Sequence, residues 1–194
     1  QDNKTNNGKE EIEWKVVAKS ENKLLVVSRY VLTSKSYDAD AGKTWANTKI
    51  RTWLNGSFYD GAFTDVEKMS ISSTTVKTAE TSFKYNDYST VKLKASAETK
   101  DKVFLLSLAQ VKKYFPTYNA KPTAYAIAKA GLKSSYDMCF WVTRSSQKAG
   151  ATEFTGLAWV SGDGLTSFIP FGFTDEEVPK IVPNGIRPAM YIRF

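Results

Sequence analysis

The stretch Thr44–Ile71, TWANTKIRTWLNGSFYDGAFTDVEKMSI, contains two of the five tryptophans and the two clearest helix signals of the chain. Asn47 is predicted to cap the first helix, because its side chain can accept a backbone N–H of the first turn. Three apolar residues then follow at helical spacing and predict one buried face: Ile50, Trp53 and Leu54. Asn55-Gly56 predicts a left-handed exit from this helix.

The second helix signal is Thr64-Asp65-Val66-Glu67, in which the threonine and the glutamate have the spacing of a capping box. Val66 and Met69 are three residues apart and are predicted to face the core together. The large aromatic residues of the stretch are interpreted as core, with a sugar-stacking role as the alternative: Trp45, Trp53, Phe58 and Phe63.

Composition limits the classes of function. The 194 residues are 42% apolar, which suits a single domain with a substantial core. The net charge of +7 comes from 27 basic and 20 acidic residues that are spread along the chain, whereas a nucleic-acid site needs clustered cations. The sequence has no histidine, which excludes Ser-His-Asp and Cys-His catalysis and histidine-ligated zinc. No apolar run is long enough for a transmembrane helix.

Residues 1–12 are polar and are predicted to be a flexible leader, left after removal of a signal sequence or tag. Residues 13–194 are predicted to form one domain, and such a leader indicates an exported protein. Cys139, the single cysteine, lies among apolar residues and is predicted to be a small buried hydrophobe.

Short strands are predicted on both sides of the helices. Residues 13–30 alternate around a polar turn and predict a β-hairpin. Residues 74–100 are rich in Thr, Ser and Lys and are predicted to form one edge strand at 91–94 within a loop. Residues 101–106 predict a compact strand.

Two further helices and a β-rich end complete the pattern. Ser107 and Gln110 form a second capping box, and Thr123 is predicted to cap an alanine-rich helix. Strands are predicted at 140–144, at 157–160 with a hairpin partner at 168–169, and within 185–194, where Pro188 lacks a ladder donor and indicates a strand start or an edge position. Strands at both ends with helices between them predict an α+β fold.

Four motifs in order resemble the bacterial DUF6273 family. They are W-x-x-T-x-x-R-x-W-L-N-x-x-F-Y-x-x-A-F at 45–63, DKVFLLS at 101–107, W-x-x-R-S at 141–145 and I-R-P-A-M at 186–190. The resemblance covers roughly Trp14 to Ile192 and implies no particular activity, because the family has no agreed one.

The G-x-R-P-A ending at 185–189 also resembles, more loosely, that of C-type-lectin-like domains of the formylglycine-generating-enzyme type. This resemblance implies a mixed fold with short helices packed on antiparallel sheets and with paired terminal strands. The paired cysteines of those enzymes are absent, and so is the carboxylate set of a calcium-dependent lectin. We therefore expect no cofactor and no metal.

Arg144 and Arg187 each lie in a predicted strand with apolar neighbours, where an unpaired guanidinium is costly. We interpret both as members of buried ion pairs, with Asp101 or Glu67 as the acids. An anion or carboxylate clamp is the alternative.

Trp159 and Asp163 lie at a predicted hairpin and, with Trp141, are candidates to line a shallow site where an aromatic ring stacks on a sugar. A core tryptophan beside a tight turn is the alternative. The acids at 175–177 lie near prolines in a predicted surface loop, so hydrolysis by paired carboxylates is not expected.

These patterns predict a non-enzymatic binding or surface-interaction module, monomeric, secreted or held at the cell surface as a lipoprotein, with a glycan or protein partner. The alternative is a structural component of a surface or multidomain assembly with no small-molecule ligand. A flat apolar surface patch would favour a protein partner.

Overall fold

The computed structural model describes residues 10–35, 44–86, 89–115, 120–130, 141–146, 157–160, 166–168 and 185–194. The strands in the first half of the chain are β1 (Trp14–Ser20), β2 (Lys23–Ser28), β3 (Thr33–Ser34), β4 (Ile71–Ser72), β5 (Thr74–Thr78), β6 (Thr81–Asn86) and β7 (Ser89–Leu93). Those that follow are β8 (Ser96–Asp101), β9 (Phe104–Leu105), β10 (Trp141–Ser146), β11 (Leu157–Val160), β12 (Thr166–Phe168), β13 (Gly185–Ile186) and β14 (Pro188–Arg193).

The α-helices are short: α1 (Lys49–Trp53), α2 (Tyr59–Ala62), α3 (Asp65–Ser70), α4 (Leu108–Tyr114) and α5 (Ala124–Ala130). A 3₁₀ turn at Trp45–Asn47 precedes α1, and a π-helical turn at Leu54–Phe58 joins α1 to α2. Sheets with a few short helices make the fold α+β, as predicted. None of the helices in the described ranges is long and apolar enough to cross a membrane.

The first sheet joins the two ends of the described chain. β1 and β2 form the predicted hairpin, and β14 pairs antiparallel with β2 on its other edge. β4 and β9 each pair antiparallel with β14. Because β14 begins at Pro188, the missing N–H falls at the start of the strand, as predicted.

The second sheet has the order β12-β11-β10-β13-β3. β11 and β12 pair antiparallel, with Phe168 of the predicted hairpin partner opposite Ala158, whereas Ile169 lies outside the described residues. β13 pairs parallel with β10 and antiparallel with β3, so it connects this sheet to the N-terminal part of the chain.

The prediction for residues 74–100 is wrong outside one strand. β7 includes residues 91–93 of the predicted edge strand, but β5, β6 and β8 occupy most of the predicted loop. β6 pairs with β7 and β5 pairs with β8, so the segment folds as two successive antiparallel ladders of one long hairpin. Thr-rich alternation with Val76 and Thr78 buried is a strand pattern despite its polarity.

The helical stretch departs from its predicted caps. Thr48, not Asn47, caps α1, and its side chain accepts a hydrogen bond from the Arg51 N–H. Asn55-Gly56 does not end the helix in a left-handed residue, because Gly56 has φ −113° and ψ −109° inside the π-helical turn. The chain therefore kinks at Gly56 and continues into α2.

The remaining capping predictions are confirmed. Thr64 and Glu67 form both bonds of a capping box on α3, and Ser107 and Gln110 do the same on α4. The Thr123 hydroxyl accepts a hydrogen bond from the Ala126 N–H at the start of α5.

The apolar face of α3 does not point inward. Val66 is 70% exposed and Met69 is 66% exposed, so the prediction that they face the core is wrong. Helical spacing places two residues on one face but does not say which way that face points.

Met69 and Leu108 offer a matched comparison of an exposed and a buried helical side chain. We expect Met69→Ala to change the free energy of unfolding by no more than about 0.5 kcal/mol. Leu108 is 2% exposed, so Leu108→Ala leaves a cavity and should lower the free energy of unfolding by about 2–5 kcal/mol. Urea denaturation measures both. Equal losses would contradict an exposed α3 face.

One core connects the two larger sheets and the helical stretch. Its largest fully buried side chains include Trp45, Trp141, Phe104, Leu54 and Ile186. An aromatic chain extends from it toward the surface, with Trp53, Phe58, Phe63 and Trp14 in successive ring contacts of 5.1–6.0 Å.

Several predictions fall outside the described residues. These are most of the leader (residues 1–9), the turn at 161–164 with Asp163, the acidic loop at 175–177, and Cys139.

Candidate functional site

Asp101 is the centre of a buried polar cluster that joins the helical stretch to β8. Trp45 Nε1 donates to Asp101 Oδ2 at 2.8 Å, and Arg51 Nε donates to Oδ1 at 2.7 Å. The Thr99 hydroxyl donates to Oδ2 at 2.6 Å. The Asp101 side chain is fully buried, and three donors satisfy its charge. We call Trp45, Arg51, Thr99 and Asp101 the Asp101 cluster.

Asn55 binds the backbone that directly follows Asp101. Its Nδ2 donates to the Val103 carbonyl at 2.8 Å, and its Oδ1 accepts from the N–H groups of Lys102 and Val103 at 2.7 and 3.2 Å. One amide side chain thus satisfies three groups of a backbone bend. The motifs at 45–63 and 101–107 therefore contact one another, and these motif residues have a structural role.

Arg144 is bound by oxygens of three other elements. Its Nε donates to Thr78 Oγ1 at 3.0 Å, and its Nη2 donates to the Lys77 carbonyl at 3.2 Å. Its Nη1 donates to the Leu105 carbonyl at 2.7 Å and to Gln110 Oε1 at 2.6 Å. The guanidinium is therefore held firmly between β5, β9 and α4.

The predicted acid partners of the two arginines are wrong. Asp101 is paired with Arg51, and Glu67 accepts hydrogen bonds from Thr64 in the capping box of α3. Within the described residues, Arg144 donates to the carbonyls of Leu105 and Lys77, and Arg187 donates to those of Ser28 and Arg29. A guanidinium has five donors in a fixed fork, and these carbonyls accept from several of them.

Arg144 also lines an open cleft of about 320 Å³, between β5, the start of β2, α4 and β14. We call it the Arg144 cleft, and its lining residues are Lys23, Thr74, Thr75, Val76, Lys77, Phe104, Gln110, Arg144 and Tyr191. Three of these described residues are cationic and none is acidic. The volume is at the lower end of the range for small-molecule pockets, about 300–1,000 Å³.

Tyr191 forms an aromatic wall of the cleft. Its ring centroid lies 5.9 Å from that of Phe104. Burial raises the pKa of the Tyr191 hydroxyl and Tyr114 raises it further, whereas the charge of Arg144 lowers it. With a pKa above the ordinary value of about 10, the phenol is protonated at neutral pH and can donate a hydrogen bond.

Trp141 and Arg187, two of the predicted site residues, meet in the core. Trp141 is fully buried, and the Arg187 guanidinium lies 5.0 Å from its ring and 4.9 Å from the ring of Phe115. Arg187 Nε donates to the Ser28 carbonyl at 2.8 Å. This stacked arrangement connects β10, β2 and the residue before β14.

The predicted site residues divide into separate groups. Trp141 packs with Phe115 and Arg187, whereas Arg144 lies over the Phe104 ring at 5.7 Å. Trp159 lies on β11, opposite Val142 and Ser167 in the ladders. Asp163 lies outside the described residues.

Sequence reasoning identified Arg144 and missed the rest of the cleft. Lys23 and Tyr191 lie at the paired ends of β2 and β14, and Thr74, Thr75 and Lys77 lie on β5, where a loop was predicted. The sequence signal for β5 is weak, since only Val76 stands between the polar Thr75 and Lys77, and the alternating burial becomes visible in the structure. No local pattern places that strand beside β14.

The part of the chain that the structure describes holds no group of three or more Cys, Asp or Glu side chains able to bind a metal ion. No curated protein and no solved structure matches the chain. The sequence model of the family described as "Domain of unknown function (DUF6273)" matches residues 21–194, which include all four motifs. The chain therefore belongs to the DUF6273 family.

Proposed function

We propose that this domain is a non-enzymatic binding module of an exported bacterial protein, monomeric and either secreted or held at the cell surface. Its binding site is the Arg144 cleft, which takes a polar group of a glycan or protein partner. The observation that carries the proposal is the cleft itself, because hydroxyl, amide and cationic groups converge there on a concave surface with Val76 and Phe104 among its walls.

The chemistry of the lining favours binding over catalysis. Its described residues offer no carboxylate and no thiol for general acid–base or nucleophilic work. Arg144 is held by four hydrogen bonds, which suits a fixed electrostatic group.

The pairing of the chain ends supports the finer proposal of a C-type-lectin-like fold. The N-terminal hairpin and the C-terminal strand lie side by side, with Val27 opposite Ala189 and Lys23 opposite Arg193. That resemblance implies paired terminal strands of this kind.

A structural component of a surface assembly is the second candidate. It is favoured by the structural use of two family motifs, since the Asp101 cluster and Asn55 stabilise the fold and are not among the described residues that line the Arg144 cleft. In that case the cleft has no ligand.

A glycan array and a thermal-shift screen of the purified domain, with calcium and then with a chelator, test the binding proposal. Thr75→Trp fills the cleft from an exposed position on β5, and Thr81→Trp places the same ring at an exposed position on β6 outside the cleft. We expect a calcium-independent ligand whose binding is lost in Thr75→Trp and kept in Thr81→Trp.

Two outcomes would contradict the proposal. Binding that survives Thr75→Trp would place the site elsewhere, for example at the β11–β12 hairpin with Trp159. If nothing bound on the array or in pull-downs, the result would favour a structural component of a surface assembly.

A further inference from the structure

We propose that the Arg144 cleft binds the carboxylate of an acidic sugar. This inference rests on the proposed function and specifies the chemical class of its ligand. It depends on three features of the lining: the sign of its charge, the direction of its hydrogen-bond donors, and its aromatic wall.

The charge of the cleft is positive on two sides. Lys23 belongs to none of the ion pairs formed within the described residues. Lys77 lies 3.2 Å from the Glu98 carboxylate, but both side chains are more than half exposed. Exposed pairs of this kind are weak, so a ligand carboxylate can compete for Lys77. The buried Arg144 adds a fixed positive charge to the same lining.

Gln110 presents a donor rather than an acceptor. Its Oε1 accepts from the Ser107 N–H at 3.0 Å and from Arg144 Nη1 at 2.6 Å. Both neighbours can only donate, so the amide oxygen must face them and the NH₂ group must face away. Among the described residues no acceptor lies in hydrogen-bond contact with this NH₂ group. Gln110 lines the cleft, and its NH₂ group is therefore available to a ligand oxygen.

The other groups suit a hydroxylated ring. The Thr74 hydroxyl donates to the Ser72 carbonyl at 3.3 Å, which leaves its lone pairs to accept from a ligand hydroxyl. Thr75 is exposed at the same wall. The Tyr191 ring gives an apolar face of the kind on which sugar rings stack. The cleft volume of about 320 Å³ suits one such ring.

The direct test compares glucuronate with glucose, which has the same ring and a hydroxymethyl group in place of the carboxylate. N-Acetylalanine supplies a carboxylate without the hydroxylated ring. Calorimetry on the purified domain measures the three affinities at low and physiological salt. We expect glucuronate to bind at least tenfold more tightly than either of the others, and more weakly as salt rises.

Lys23→Gln and Lys77→Gln remove one cleft charge each, and Lys92→Gln removes a charge from an exposed position on β7 outside the cleft. Each cleft variant should weaken glucuronate binding about tenfold, as expected for loss of one charge-assisted contact. Lys92→Gln should leave it unchanged. This pattern supports the inference, and the exposure of Lys77 and Lys92 makes unfolding of those two variants a minor concern.

The remaining outcomes separate the inference from the proposed function. Equal binding of glucose and glucuronate, or array binding of neutral glycans alone, would overturn the carboxylate assignment while the binding function stands. N-Acetylalanine binding as tightly as glucuronate would overturn the sugar assignment and favour a peptide carboxylate. Equal losses in Lys92→Gln and the cleft variants would overturn the site. If none of the three probes bound and no glycan on the array bound, the result would contradict the proposed function as well.

Discussion

Asp101→Ala should lower the free energy of unfolding by about 3–5 kcal/mol, the range for removing one partner of a buried ion pair. The substitution removes the acceptor of the Trp45 indole N–H, of Arg51 Nε and of the 2.6 Å hydrogen bond of the Thr99 hydroxyl, while Arg51 Nη1 keeps the Ala46 carbonyl. These groups connect the helical stretch to β8. Urea denaturation followed by tryptophan fluorescence measures the loss.

Glu98→Ala is the matched control, because Glu98 lies on the same strand and its pair with Lys77 is exposed on both sides. Exposed pairs contribute about 0–1 kcal/mol, so the control should unfold close to the unmodified domain. Equal midpoints for Asp101→Ala and Glu98→Ala would contradict a stabilising Asp101 cluster.

Trp141→Ala should lower the free energy of unfolding by about 3–5 kcal/mol, since it removes a fully buried indole and leaves a cavity. It also removes one of the two rings against which the Arg187 guanidinium is stacked. The measurement is again the free energy of unfolding, and Trp141→Phe, which keeps an aromatic ring beside Arg187, should recover part of the loss.

Trp53→Ala provides the comparison at a half-buried tryptophan, whose ring lies under Lys35 at 4.8 Å and beside Phe58. Its loss should be clearly smaller than that of Trp141→Ala. If Trp141→Ala were as stable as the unmodified domain but deficient in ligand binding, Trp141 would be a ligand-contacting residue and its assignment to the core would be wrong.

Helix caps were predictable because their physics is local. Thr64 and Glu67, and likewise Ser107 and Gln110, exchange hydrogen bonds within three residues, so their spacing alone identifies them. The choice of Asn47 over Thr48 was wrong by one residue because both side chains can cap. The structure places Asn47 in the preceding 3₁₀ turn.

Contacts between distant segments account for the errors. Asn55 looked like a helix exit, but its amide binds the backbone of Lys102 and Val103, which lie 47 and 48 residues further along the chain. The exposed face of α3 was misassigned because spacing gives a face without a direction. β5, β6 and β8 were missed because their sequences are polar, and β5 gains its ladder only from β8, after the intervening β6 and β7.

The Arg144 cleft shows the same limit most clearly. Arg144 was predicted as a site residue because burying an unpaired guanidinium in an apolar strand costs free energy. No such local signal marks Lys23, Thr75 and Tyr191, since residues of these types are common in strands and turns. They become a site only when β2, β5 and β14 are brought together by the sheet and the long hairpin.

The most direct test of the Arg144 cleft as the binding site is an NMR titration of the ¹⁵N-labelled domain with glucuronate. We predict that the amide resonances of Thr74 to Lys77 and of Tyr191 shift with one common affinity, while the Trp45 indole resonance in the Asp101 cluster stays unchanged. Shifts confined to Leu157–Val160 on β11, with the cleft amides unmoved, would contradict this assignment and place the site at the Trp159 hairpin.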